Sequence, residues 1–100
     1  MPTDPSFLMT IQDVFTIRDR GTVATGKVEQ GVLKVGDEIY VKRQDAFKKT
    51  VVIGIESFMK QKNEAQAGET IGVLLREFSK DDAQRGDVLT GSDTQFTWNM

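Results

Sequence analysis

The stretch Arg20-Gly-Thr-Val-Ala-Thr-Gly-Lys-Val-Glu-Gln-Gly-Val-Leu-Lys-Val-Gly-Asp-Glu-Ile-Tyr-Val41 decides the reading of this chain. Its glycines fall at Gly21, Gly26, Gly31 and Gly36, and the residues between them are rich in Val and Thr, which suit a pleated, half-buried surface. Gly31 stands where a strand has to turn, and Gly36-Asp37 reads as a tight turn before Glu38–Val41. Gly26 lies inside a strand-like run, where glycine marks a bulge, a bend or the close approach of another backbone. The stretch predicts a sheet folded sharply on itself, as at the corner of a small barrel.

Working outward, Phe7, Met9, Ile11, Asp13, Phe15 and Ile17 alternate with Leu8, Thr10, Gln12, Val14, Thr16 and Arg18, which predicts one strand with Asp13 interrupting its apolar face. Such an acid sits at a bulge or is held by backbone N–H groups. Arg18–Gly21 reads as a charged turn, Thr22–Glu29 as a second strand and Val32–Val35 as a third. Glu38–Arg43 follows, with Ile39 and Val41 inward. Gln44–Lys49 reads as a polar hairpin loop. Thr50–Phe58 is a strand with Val51, Ile53 and Ile55 on one face. Gln66–Glu69 is a turn into a strand at Thr70–Leu75. Ser79–Asp82 has the form of a capping box and predicts one helical turn ending at Gly86. Asp87–Thr90 closes the sheet. Short strands with turn signals at regular spacing give an all-β barrel or sandwich.

The 100 residues make one domain, with a core at 7–90 and peripheral ends at 1–6 and 91–100. There is no Cys and no His, which removes disulfides, thiolate metal sites and the commonest general base. The net charge of −2 argues against duplex DNA as a partner. No apolar run is long enough for a membrane span and no basic-then-apolar leader is present, so a cytoplasmic location is expected. Gly21-Thr-Val-Ala-Thr-Gly-Lys27 spells the start of a phosphate-binding loop. Val28 replaces the Mg²⁺-binding hydroxyl, and Val28–Gly31 does not start a helix, so the segment reads as a strand. Ser57-Phe-Met-Lys60 matches a Ser-x-x-Lys pattern with nothing around it to support acyl chemistry. The paired acids Asp37-Glu38 and Asp81-Asp82 suit a turn and a helix start. No catalytic constellation, metal site or cofactor is expected, and the chain is read as a non-enzyme.

Asp13–Ile17, Arg20–Gly26, Val35–Glu38, Ile55-Glu56, Glu64–Glu69, Leu74–Arg76 and Arg85–Leu89, in that order, resemble the second domain of the translational GTPases, closest to bacterial elongation factor Tu. The resemblance runs from Phe7 to Leu89. It implies a small closed six- to seven-stranded β-barrel and a binding module of the translation apparatus, present without the GTPase domain or third domain. The tail after Leu89 favours a stand-alone protein.

The same resemblance implies a site for the aminoacylated 3′ end of transfer RNA. Ile17, Val23 and Leu74 would wall a small apolar pocket for the terminal adenine, and Glu56 would close it. Asp13 and Phe15 would lie along the same edge, and backbone groups near Phe58 and Thr70 would meet the amino acid. The competing reading is that Ile17, Val23 and Leu74 are simply barrel core. Gln12, Asp19, Met59 and Thr70 depart from the family's usual Glu, Gly, Arg and Asn, and Asp19 and Met59 both disfavour an anionic ligand. The alternative function is a protein–protein interaction barrel that docks on a translation factor or ribosomal protein.

Overall fold

The computed structural model describes residues 3–17, 19, 21–44, 46–57, 60–76 and 82–92. Among them the strands are β1 (Leu8–Thr10), β2 (Asp13–Ile17), β3 (Gly21–Gln30), β4 (Val32–Lys34), β5 (Glu38–Arg43), β6 (Ala46–Ser57), β7 (Lys60–Lys62), β8 (Glu64–Gln66), β9 (Thr70–Leu75) and β10 (Val88–Thr90). Six close into an antiparallel ring, β1-β10-β5-β6-β9-β3 and back to β1. The fold is an all-β barrel with β2 and β7 added outside the ring, and β4 and β8 form a separate two-stranded ribbon. No helix occurs among the described residues.

Two long strands make this arrangement possible. β3 has ten residues and pairs β2 through Gly21–Thr25, then β1 through Val28 and Gln30. β6 has twelve and pairs β5 through Ala46–Val51, then β7 through Ile55–Ser57. At the handover in β3 sits Gly26, where an added Cβ would lie 2.4 Å from the carbonyl oxygen of Thr10. The close backbone approach expected at Gly26 is therefore present. Gly31 turns the chain at φ +80°, with the Phe7 backbone 2.6 Å from where a Cβ would be. Inward-facing Met9, Ala24, Val28, Ile39, Val52 and Leu89 are among the side chains that fill the barrel.

Alternation fails at two places, and both failures have a backbone cause. Phe7, Met9 and Ile11 are buried, but Asp13, Phe15 and Ile17 face outward. The strand breaks between β1 and β2: the Ile11 N–H donates to Asp87 O at 2.8 Å and the Gln12 N–H to Thr25 O at 2.7 Å. The chain changes partners there, and its parity resets. Asp13 thus sits at neither a bulge nor a backbone cradle; its carboxylate accepts from Arg85 at 2.8 Å. In β6 the register shifts between Val52 and Gly54. The extra residue turns Val52 and Ile55 inward and leaves Val51 and Ile53 outside, against the single face expected for Val51, Ile53 and Ile55.

The polar segment at Gln44–Lys49 is mostly strand. Arg43 pairs directly with Ala46, so only residues 44 and 45 make the connection, with Gln44 at φ +56°. Phe47 packs edge-on against Tyr40 at 6.5 Å between ring centroids and lies under the Lys42 ammonium at 5.8 Å. Ahead of the turn expected at Gln66–Glu69, where the sequence reading assigned no strand, the chain forms β7 and β8. Residues 79–81 of the expected helical turn lie outside the described residues. From Asp82 the chain runs through turns and bends, with Gly86 at φ +94°. Asp87, buried, receives the Arg43 guanidinium through Nε at 3.1 Å and Nη2 at 2.9 Å, and this pair ties β5 to the approach to β10.

Candidate functional site

The parity of β3 turns Thr22 and Ala24 into the barrel and Val23 and Thr25 out of it. Across the sheet, Phe15 pairs with Val23, Val23 with Leu74, and Leu74 with Gly54. The outer face of β2-β3-β9-β6-β7 therefore gathers apolar side chains that the barrel interior does not use. Leu74 is only 8% exposed, yet it lies outside the main core cluster. Ile17, Val23 and Leu74 are thus an outer-face group rather than barrel filling.

Two glycines keep this face hollow. A Cβ on Gly72 would come within 3.2 Å of Val23 Cγ1, and one on Gly54 within 3.5 Å of Leu74 Cβ. The resulting pocket has a volume of about 200 Å³, with Ile17, Val23, Ile53 and Leu74 on its apolar side. Glu56, Gln61, Lys62 and Asn63 form its polar side. A shallower groove of about 460 Å³ shares Ile17, Val23, Glu56 and Gly72 with it and runs over Phe15 and Thr70.

The polar wall comes from β7 folding back on β6, which sets Gln61 directly opposite Glu56. Lys62 is tied away by an ion pair to Glu69. The Glu69 carboxyl is held below its ordinary range, chiefly by the Lys62 hydrogen bond and then by the Gln66 N–H at 2.7 Å. Ser57 donates its hydroxyl to Thr70 O at 3.4 Å, bridging β6 and β9 at the groove.

The structure brings Ile17, Val23, Glu56 and Leu74 together at the pocket, and Phe15 and Thr70 join Ile17, Val23 and Glu56 at the groove. Asp13 lines neither and is engaged by Arg85. Phe58 and Met59 lie outside the described residues. The sequence reading missed Val35, Ile53, Gln61 and Asn63. Ile53 reaches the pocket only because of the β6 bulge, and Gln61 and Asn63 only because β7 doubles back; neither event has a compositional signal. The segment Gly21–Lys27, which spells a phosphate loop, is part of β3. Among the described residues no group of three His, Cys, Asp or Glu side chains is placed to hold a metal ion.

Residues 21–90 match the family model of elongation factor Tu domain 2. The chain belongs to that family. The match begins at the first residue of β3 and ends with the last of β10, so it spans Val23, Glu56, Thr70 and Leu74, while Phe15 and Ile17 precede it. An elongation factor Tu domain 2 is a barrel module of a translation factor, which accords with the closed ring described above. No helix of the described residues is long and apolar enough to cross a membrane.

Proposed function

We propose that this elongation factor Tu domain 2 barrel is a non-catalytic binding module of the translation apparatus, acting in the cytoplasm, and that its outer-face pocket receives the terminal adenosine of an aminoacylated transfer RNA. The observation that carries the reading is the outward turn of Ile17, Val23 and Leu74 onto one hollow edged by Glu56. Single-stranded RNA ends are read by seating an unstacked base on a side-chain platform and contacting its edges and ribose. In this arrangement the base enters the pocket, and the ribose and ester lie along the groove toward Phe15 and Thr70.

Binding by this domain alone is weak. Stacking contributes on the order of 1–3 kcal/mol. A few exposed polar contacts add about 0.5–1.5 kcal/mol each. After the loss of rigid-body freedom the dissociation constant is roughly millimolar. Asp19, at φ +65° before β3, adds a negative charge where an anionic chain approaches. The test is nuclear magnetic resonance titration of the full chain with a short aminoacylated CCA oligonucleotide. Shifts centred on Ile17, Val23, Glu56 and Leu74, larger in the Asp19→Gly, Met59→Arg variant and reduced by salt, support the reading. No shift in either protein, with the fold intact, overturns it.

One observation favours a second reading. Among the described residues the exposed large apolar side chains are Phe15, Ile17, Val35 and Ile53, and all four border this hollow or its groove. A patch of that kind also suits docking on a translation factor or ribosomal protein. That reading takes the lead if the oligonucleotide produces no shifts.

A further inference from the structure

The exposed large apolar side chains among the described residues, Phe15, Ile17, Val35 and Ile53, lie between 37% and 55% exposed around the outer-face hollow and its groove. Together they offer on the order of 300 Å² of apolar surface, well under the roughly 800 Å² that each partner contributes to a stable interface. A segment of a few residues matches that area, and a second barrel does not. At about 200 Å³ the hollow itself takes one ring side chain. Its wall adds a chemical requirement. Among the described residues the side chains of Glu56, Gln61 and Asn63 make no hydrogen bond or ion pair, whereas Lys62 is tied to Glu69. A carboxylate accepts only, so Glu56 calls for an N–H or O–H donor carried on an apolar body.

The chain carries one such group. Its single Trp is Trp98, in Asp93-Thr-Gln-Phe-Thr-Trp-Asn-Met100, which lies outside the described residues and beyond the family match at 21–90. Indole is a large apolar ring with one N–H donor. Phe96, Trp98 and Met100 alternate with Thr97 and Asn99, so an extended segment would put the three apolar side chains on one face. Asp93 is the only charged side chain of the eight residues, so none near Trp98 is repelled by Glu56.

The described chain ends on the correct side of the barrel. β10 runs antiparallel to β5 with Thr90 opposite Tyr40, so the chain leaves toward the turn at Lys34–Asp37, where the Asp37 N–H donates to Lys34 O at 3.0 Å. Gly91 is anchored there: its N–H donates to Phe7 O at 3.1 Å, and it packs on Asp4, whose carboxylate accepts the Val32 N–H of β4 at 3.0 Å. β4 leads into Val35, which borders the hollow. Val35 is thereby on the order of 15 Å from Ser92, and the six residues from Ser92 to Trp98 span up to about 20 Å.

We propose that residues 93–100 fold back over the outer face and seat Trp98 in the hollow, its indole N–H toward Glu56, so that the chain's own tail guards the site and any other occupant has to displace it. The proposal does not depend on the RNA-end reading. A short tether supplies an effective concentration in the millimolar range, so a contact of about millimolar affinity already fills the hollow about half of the time.

The experiment uses the full chain, in which Trp98 is the sole indole and its fluorescence reports on the tail alone. Emission is expected to be blue-shifted from that of the urea-unfolded chain, with acrylamide quenching slowed at least about twofold. Nuclear Overhauser contacts should join the indole ring to methyl groups of Ile17, Val23, Ile53 and Leu74. The double variant Ile17→Glu, Ile53→Glu charges the hollow at two sites more than one-third exposed and should return emission and quenching to the unfolded values while the melt stays cooperative. Should that variant fail to fold, Trp98→Ala gives the same answer: it should shift the resonances of Ile17, Val23 and Leu74 and leave those of the buried Met9 and Leu89 in place. Emission and quenching of the folded wild type equal to those of the unfolded chain overturn the proposal, as do indole contacts to methyl groups elsewhere. Contacts between differently labelled copies in a mixed sample overturn self-docking and assign the hollow to a second copy's tail.

Discussion

Gly26→Ala tests the close packing at the centre of the barrel. Gly26 lies where β3 passes from β2 to β1, and an added Cβ would sit 2.4 Å from Thr10 O, with Met9 Cγ and Cε at 3.3 and 3.4 Å. The carbonyl contact is roughly 1 Å short of ordinary C···O separation. Met9 is fully buried, and Thr10 is held by pairing to Val88, so neither neighbour has room to retreat. Overpacking typically costs about 1–3 kcal/mol, and an obstacle made of backbone places this substitution near 3. Against a domain stability of about 5–15 kcal/mol, that is between roughly a fifth and three-fifths of the total. At about 4–8 °C per kcal/mol, Tm should fall by roughly 12–24 °C. The assay is circular dichroism melting of wild type, Gly26→Ala and Gly36→Ala. The last is the control: Gly36 has φ +98° and open space around its Cβ direction, so only the conformational cost of about 1–2 kcal/mol applies. If Gly26→Ala melts within about 4 °C of wild type, or above Gly36→Ala, the steric argument is wrong.

Asp87→Ala removes the buried acceptor of Arg43 and of the Gln84 N–H at 3.0 Å. Breaking a buried pair costs about 3–5 kcal/mol, but the Arg43 side chain is 44% exposed, so a loss of about 2 kcal/mol is expected, read as a lower urea midpoint at unchanged m-value. Glu56→Ala should leave stability within about 0.5 kcal/mol, because the side chain is exposed and unpartnered among the described residues, while weakening the aminoacylated CCA oligonucleotide severalfold by titration. The Asp4 and Glu69 carboxyls both have folded-state pKa values below the ordinary 3.8 and 4.5, Asp4 through Ser6 and the Val32 N–H, Glu69 through Lys62 and Gln66. Depressed carboxyl values stabilise above the unfolded pKa, and that stabilisation is lost as pH falls through the folded one. Tm should therefore be flat above about pH 5 and drop below about pH 4, less steeply in an Asp4→Asn, Glu69→Gln variant; an unchanged slope would refute the assignment.

The strands of the ring were largely legible because glycine and β-branched residues mark turns and pleats directly. What escaped was parity. Asp13, Phe15 and Ile17 continue the apolar alternation of Phe7, Met9 and Ile11 without a break in composition, yet a change of partner at Ile11–Gln12 reverses their face. The bulge after Val52 does the same to Val51 and Ile53, and nothing in Thr50–Ile55 announces it. Lys48 and Lys49 disguised a strand as a loop, since an outward-facing hairpin tolerates charge as readily as a loop does. At the site, Ile17, Val23, Glu56 and Leu74 were accessible through family likeness, and periodicity alone would have assigned the three apolar ones to the core. Gln61 and Asn63 were hidden because a three-residue polar strand such as β7 has no sequence signature.

The ring is sealed by its first strand. β1 pairs with β3 some twenty residues away, Met9 to Val28, and with β10 some eighty residues away, Leu8 to Thr90. During synthesis the β2–β3 and β5–β6 hairpins can assemble as they emerge, but the barrel stays an open, curled sheet until residues 88–90 have left the ribosome. Loop-closure entropy is repaid only at that last pairing, which places this chain among slow, high-contact-order folders. Until then the edges of β1 and β5 that face the gap are the surfaces most exposed to mispairing with a neighbouring nascent chain.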